Sequence, residues 1–193
     1  MQPSVILAST SRYRAELLQR LAIDFKQVAP ECDETALPDE PAIALVERLA
    51  VIKAQSVARQ FPDALVIGSD QVACLDGRIL GKPGTHAAAI EQLQALSGKN
   101  VDFNTGLCVM RQADDQVRQS VETTRVTFKH LNSEQIERYL QMDKPYDCAA
   151  SFRSEGYAST IVTAIESDDP CTIIGLPLIR VAEYLDQLGL PLP

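Results

Sequence analysis

An α/β fold is what this sequence predicts, on three observations. The run Leu65-Val66-Ile67 enters Gly68 and then the carboxylate of Asp70, as a buried strand does on reaching an open end. Val5-Ile6-Leu7-Ala8 is a second apolar run, followed directly by Ser9-Thr10-Ser11 and a segment of helical period. Further helical periods, from Pro41 to about Gln60 and from about Thr85 to Leu96, alternate with strand-like runs.

Length and composition narrow the class. The 193 residues predict one domain over 1–193, or one domain with a lobe, large enough for a sizeable core. Hydrophobic content of 46% and charged content of 23% are those of a globular protein. No apolar run approaches the ~20 residues that span a bilayer, and no signal peptide is expected before Val5. A net charge of -8 argues against nucleic acid and against an anionic membrane as partner. Cys32, Cys74, Cys108, Cys148 and Cys171 are odd in number and widely spaced, a reduced-compartment pattern that points to the cytoplasm. With only His86 and His130, a zinc site or a Ser-His-Asp triad has little to draw on.

In chain order, Val5–Ala8 reads as a strand and Ser9-Thr10-Ser11 as the turn capping a helix that carries Leu17, Leu18 and Leu21 on one face. A strand, a hydroxyl-rich turn and a helix N-terminus together suit an anion, and Arg12 and Arg14 add positive charge. An ordinary serine cap beside two solvated arginines is the other reading. Glu31, Asp33 and Glu34 form an acidic loop, either solvated or a source of hard oxygen ligands for Mg²⁺ or Mn²⁺.

The helix from Pro41 has the apolar stripe Val46, Leu49, Ala50 and Val57, and Lys53 falls on that stripe. A lysine there either snorkels to water or points into a charged site. After the Asp70 strand, Asp76-Gly77 predicts a type I′ hairpin pairing Leu75 with Arg78, Cys74 with Ile79 and Gln71 with Lys82. That register lays Lys82 beside Asp70 at the far end. Asp70 is then either a solvated strand-end aspartate or part of a charged site.

The helix ending at Leu96 stops at Ser97-Gly98. Val101–Met110, with Thr105-Gly106 as a break, and Val121–Phe128 predict a long antiparallel hairpin turning at Ala113–Gln116. Asn132-Ser133 with Gln135 starts a helix that contains Ile136, Tyr139 and Leu140. Lys144–Gly156 reads as a loop, of the composition that lines ligands and also covers surfaces. Ile161–Ile165 is a strand. Pro177 opens the last helix, with Ile179, Ala182, Leu185 and Leu188 inward and Gly189 as its stop.

Asp70, the acidic loop, Lys53, Lys82 and the Ser/Arg helix cap together suggest metal-assisted phosphate chemistry. Carboxylates bind a divalent ion and activate water, while cations and helix N–H groups neutralise phosphate oxygens.

The motifs Leu7-Ala8-Ser9-Thr10-Ser11 with Arg14, Asp33-Glu34, Lys53-Ala54, Gly68-Ser69-Asp70-Gln71, Gly81-Lys82-Pro83, Ser97-Gly98 and Gly175-Leu176-Pro177 resemble those of the Maf family of nucleoside triphosphate pyrophosphatases. The resemblance runs from about residue 4 to about residue 188. It implies a mixed central β-sheet flanked by helices, in two lobes with a cleft, like the inosine triphosphate pyrophosphatases. It also implies hydrolysis of a nucleoside triphosphate to monophosphate and pyrophosphate with a divalent cation, Mg²⁺ or Mn²⁺. On this resemblance Asp70 is the proton acceptor, with Lys53 and Lys82 catalytic. Ser9 and Arg14 take phosphate, and Glu34 and Asp70 take the metal. A homodimer is a family-level expectation.

Where the family commonly has Ser-Pro-Arg-Arg, this chain has Ser11-Arg12-Tyr13-Arg14. Gln71 replaces a threonine and Glu155 a glutamine, and Ala150 stands where the branch named next commonly has glycine. Tyr13, Gln71 and Glu155 together look like the branch that acts on 7-methyl-GTP and so clears modified nucleotides from the pool. A 7-methylated guanine is cationic, and a tyrosine face attracts a cation by roughly 0.5–2 kcal/mol. The Glu155 carboxylate accepts from guanine N1–H and the 2-amino group. Alternatives are a dTTP/UTP pyrophosphatase of the sister branch and a nucleotide-binding regulator of cell division without turnover.

Overall fold

The computed structural model describes residues 3–193. Strands β1 (Val5–Ala8), β2 (Phe25–Val28), β3 (Leu65–Leu75), β4 (Arg78–Leu80), β5 (Asn100–Arg111), β6 (Gln116–Phe128) and β7 (Val162–Glu166) form one mixed sheet. Its order is β2-β1-β3-β5-β6-β7, with β4 paired to β3. The helices are α1 (Arg12–Gln19), α2 (Ala42–Ala58), α3 (His86–Leu96), α4 (Ser133–Asp143) and α5 (Leu178–Gln187). This is the α/β class that strand–helix alternation predicts. The described residues group into two units, one of 3–70, 105–122 and 169–193, the other of 71–104 and 123–168.

In the first unit, β1 pairs in parallel with β2 on one side and with β3 on the other. Parallel neighbours need crossover connections, which α1 and α2 supply. Alternation along β1 sorts the core into two layers. Val5 and Leu7 face Leu17, Leu18, Val181 and Leu185 from α1 and α5. Ile6 and Ala8 face Ala50, Ala54 and Val57 from α2. The connections therefore leave β1 and β2 on opposite faces, and the sheet has its topological switch point between β1 and β3.

Glycine sets how closely α2 lies. A Cβ on Gly68 would overlap the Ala50 carbonyl oxygen and stand 2.7 Å from the Ala54 nitrogen. Gly106 likewise lies against the Val46 carbonyl. The expected break at Thr105-Gly106 does not occur: β5 is continuous, and the glycine there serves close packing against α2.

Three other expectations need correction. Residues Phe25–Val28 form the half-buried β2, which the sequence did not signal, because FKQV on a sheet edge lacks an apolar run. Asp70 is not at a strand end, since β3 continues to Leu75. In α5 the inward face is Leu178, Val181, Leu185 and Leu188, while Ile179 is 59% exposed. Counting back from Leu185 by four and then three reaches Val181 and Leu178, whereas two steps of three reach the wrong residues.

The second unit carries the Asp76-Gly77 turn, with φ of 50° and 81° as type I′ requires. Leu75 pairs with Arg78 and Cys74 with Ile79 as predicted, but the ladder ends at Ala73–Leu80. Gln71 and Lys82 therefore do not pair, because β4 stops at Leu80. Thr85 and Asn132 cap α3 and α4, the latter with a full capping box to Gln135. Phe152 packs 5.4 Å from Phe103 and 5.6 Å from Phe128, centroid to centroid. Ala150 is buried at φ 55°, the left-handed conformation in which glycine is at ease.

Candidate active site

The site residues of the first unit lie where its parallel strands run out. The last β1 residue paired to both neighbours is Ala8, opposite Val28 and Gly68. Ser9, the 29–34 loop and Ser69-Asp70 follow these three positions directly. In open α/β sheets this is where ligands bind, beyond the carboxyl ends at the switch point.

On the α2 face, Val66, Gly68 and Asp70 point the same way by strand alternation. Gly68 admits the α2 backbone, and Lys53, between Ala50 and Ala54 on that helix, meets Asp70. Lys53 Nζ donates to Asp70 Oδ1 at 2.7 Å and pairs with Glu34 Oε2 at 2.7 Å. Lys53 is 6% exposed and Asp70 8%. Of the two readings of Lys53, the charged site is correct and the snorkel is not. Asp70 is likewise buried and paired, not solvated.

A clamp fixes the loop that presents Glu34. Arg48 of α2 donates in bidentate fashion to Glu40, at 2.6 and 2.7 Å, and also to the Thr35 carbonyl at 3.1 Å. The hydrogen bond from Arg48 holds the Glu40 carboxyl down at about 2. Asp33 accepts from the Thr35 amide at 2.9 Å, closing a local turn. Cys32 stands beside this cluster, and burial first, then Glu34, push its thiol up. All five cysteines are free.

Across the sheet end, Ser11 caps α1, accepting from the Arg14 amide at 3.4 Å, and Ser9 Oγ accepts from the Ser11 amide at 3.1 Å. The Arg14 side chain donates to the Gly175 carbonyl at 2.8 Å and reaches Ser9 Oγ at 3.5 Å. Burial lowers the pKa of Arg14, while Asp70 and Glu34 oppose the shift. Arg12 lies over the Tyr13 ring, 4.7 Å from its centroid, and donates to the phenol oxygen at 2.8 Å.

Ser9, Arg14, Glu34, Lys53 and Asp70 are thus brought together in the first unit. Gln71, Lys82 and Glu155 belong to the second. Gln71 is half-buried on β3, and Lys82 is exposed beyond β4. Glu155 accepts from Ser154 Oγ at 2.8 Å, on a loop pinned from α4 at both ends. On one side Tyr139 OH donates to the Ser151 carbonyl and accepts from the Arg153 amide. On the other, the buried Asp143 accepts from the Tyr157 amide at 2.7 Å. Among the described residues, no group of three His, Cys, Asp or Glu side chains is placed to hold a metal. No described helix is long and apolar enough to cross a membrane.

Sequence reasoning missed the Arg48–Glu40 clamp and the part played by Gly68. The signal for the latter was present: a glycine two residues before Asp70, and alanines flanking Lys53.

Fold and site define a doubly wound α/β protein with a charged cluster of carboxylate, lysine and arginine at its switch point. The model of the family described as Maf-like protein matches residues 4–188, and the chain belongs to the Maf family. It is 50% identical to a 7-methyl-GTP pyrophosphatase of Nitrosococcus oceani over 98% of this chain and 95% of that protein. It is 49% identical to one of Xanthomonas axonopodis pv. citri over 99% and 100%, and 48% identical to one of Burkholderia pseudomallei over 98% and 90%. Among solved structures, the Staphylococcus aureus Ham1 protein aligns with TM-score 0.49 and 15% identity, over 80% of this chain and 88% of that one.

Proposed function

We propose that this protein hydrolyses 7-methyl-GTP to 7-methyl-GMP and pyrophosphate. The observation that carries the phosphate chemistry is the buried Lys53 held between Glu34 and Asp70, just past the point where β1 ends and its pairing with β3 stops. Relatives of near-equal length bearing that activity in their names supply the base.

Asp70 gives one oxygen to Lys53, and Oδ2 takes the proton of the attacking water. The water oxygen bonds to the α-phosphorus, the bond from the α-phosphorus to the bridging oxygen breaks, and pyrophosphate leaves. Arg14, Ser9 and the α1 N-terminus hold phosphate oxygens. Lys53 and Lys82 offset the charge that develops on them.

Glu34 and Asp70 converge on one cation, so their oxygens already share a focus. Glu34 and Asp70 would hold Mg²⁺ or Mn²⁺, hard ions that are commonly bound through one or two carboxylates. Such an ion supplies neutralisation of the triphosphate. Tyr13, Gln71 and Glu155 read the base. The reaction clears a methylated nucleotide from the cytoplasmic pool.

The test is pyrophosphate release by the full chain with Mg²⁺ or Mn²⁺, across 7-methyl-GTP, GTP, dTTP, UTP and CTP. Selective release from 7-methyl-GTP is expected. Preference for dTTP or UTP would discard the base assignment and keep Asp70. Binding without release from any substrate would replace the enzyme with a nucleotide-binding regulator.

A further inference from the structure

One carbonyl joins the two sides of the site. The Gly175 oxygen accepts from Arg14 Nε at 2.8 Å and from Ser69 Oγ at 3.0 Å, which uses both of its lone pairs. Gly175 has φ 117°, in the left-handed region, and a Cβ there would stand 3.4 Å from Arg14 Nε. The backbone conformation calls for glycine, while the 3.4 Å approach is an ordinary contact.

Ser69 is fully buried and immediately precedes Asp70 on β3. Alternation turns Asp70 toward Lys53 and Ser69 toward the opposite layer, where Gly175 and α1 lie. We infer that Ser69 is a positioning residue: through the Gly175 carbonyl it sets the plane of the Arg14 guanidinium. A guanidinium is a rigid planar fork, so fixing Nε fixes the direction of its remaining donors toward a phosphate. The strand that carries the base thus also orients the arginine on the other side of the sheet end.

This inference rests on the proposed phosphate role of Arg14, and a double-mutant cycle tests it separately from turnover. Ser69→Ala, Arg14→Ala and the double variant are compared by calorimetric binding of inorganic tripolyphosphate, which has no base to read. Melting temperature is recorded beside it. Ser69→Ala weakens binding about 3- to 10-fold when Arg14 is present, the worth of one hydrogen bond, and less than about twofold in the Arg14→Ala background. A purely structural role would lower affinity equally in both backgrounds, and that result overturns the inference. So does unchanged affinity in Ser69→Ala, or no tripolyphosphate binding by the unaltered protein. Should Ser69→Ala fail to fold, Ser69→Cys keeps the volume with a weaker donor and is read by the same criteria. Coupling without pyrophosphate release from any nucleotide would leave the inference standing and remove the proposed reaction.

Discussion

Lys53 Nζ lies 2.7 Å from Asp70 Oδ1, a contact between helix and strand made by residues 17 apart in the chain. Both groups are nearly out of water, whereas the second carboxylate on the same ammonium, Glu34, is half exposed. A buried charge stripped of its partner is costly, and an exposed one is not.

Lys53→Met therefore destabilises the protein by about 3 kcal/mol, because Asp70 is left buried without its counter-charge. Glu34→Gln costs less than about 1 kcal/mol, since water screens that partner. Urea unfolding of both variants checks the ordering; equal losses would contradict the unequal burial.

Asp70→Asn keeps an oxygen to accept from Lys53 but removes the proposed proton acceptor. Turnover falls about 10²- to 10⁴-fold, far more than the lowered melting temperature of a still-folded protein that has lost the buried counter-charge of Lys53 accounts for. Single-turnover kinetics and thermal unfolding on the same sample separate the two effects.

The Arg48–Glu40 clamp predicts a pH dependence. Glu40 ionises at about 2 in the folded protein against an ordinary 4.5, chiefly through the hydrogen bond from Arg48. A lowered carboxyl contributes stability that is complete above its unfolded value and is lost as the pH falls through the folded one. Glu40→Gln accordingly flattens the decline of melting temperature between pH 4.5 and 2. Identical slopes in the two proteins would remove the clamp from the stability of the Glu34 loop.

The Tyr13 ring already carries a cation, the Arg12 guanidinium. Tyr13→Leu lowers the preference for 7-methyl-GTP over GTP by roughly 2- to 30-fold, the span of a cation–π contact. Paired kcat/KM values measure it, and GTP hydrolysis itself is expected to change little.

Much of the fold was legible because local chemistry marks element ends. Val5–Ala8 runs over its predicted residues, the Asp76-Gly77 turn has the predicted conformation, and the Asn132/Gln135 box caps α4. The edge strand β2 and the inward face of α5 were not legible. Each depends on which neighbour covers a half-apolar segment, and periodicity over a few residues does not report that.

For the site, residue types and their order pointed to phosphate chemistry around Asp70, Lys53, the acidic 31–34 loop and the Ser/Arg helix cap, and the family resemblance singled out Glu34, Arg14 and Ser9. Whether Lys53 snorkels or turns inward was undecided at that level, because both options place a lysine on an apolar stripe. Tertiary packing decides it. Gly68 lets α2 lie close against β3, and the Lys53 ammonium ends on the buried carboxylate of Asp70. The orientation of Arg14 is decided in the same way, by a carbonyl 161 residues away that no local pattern reveals.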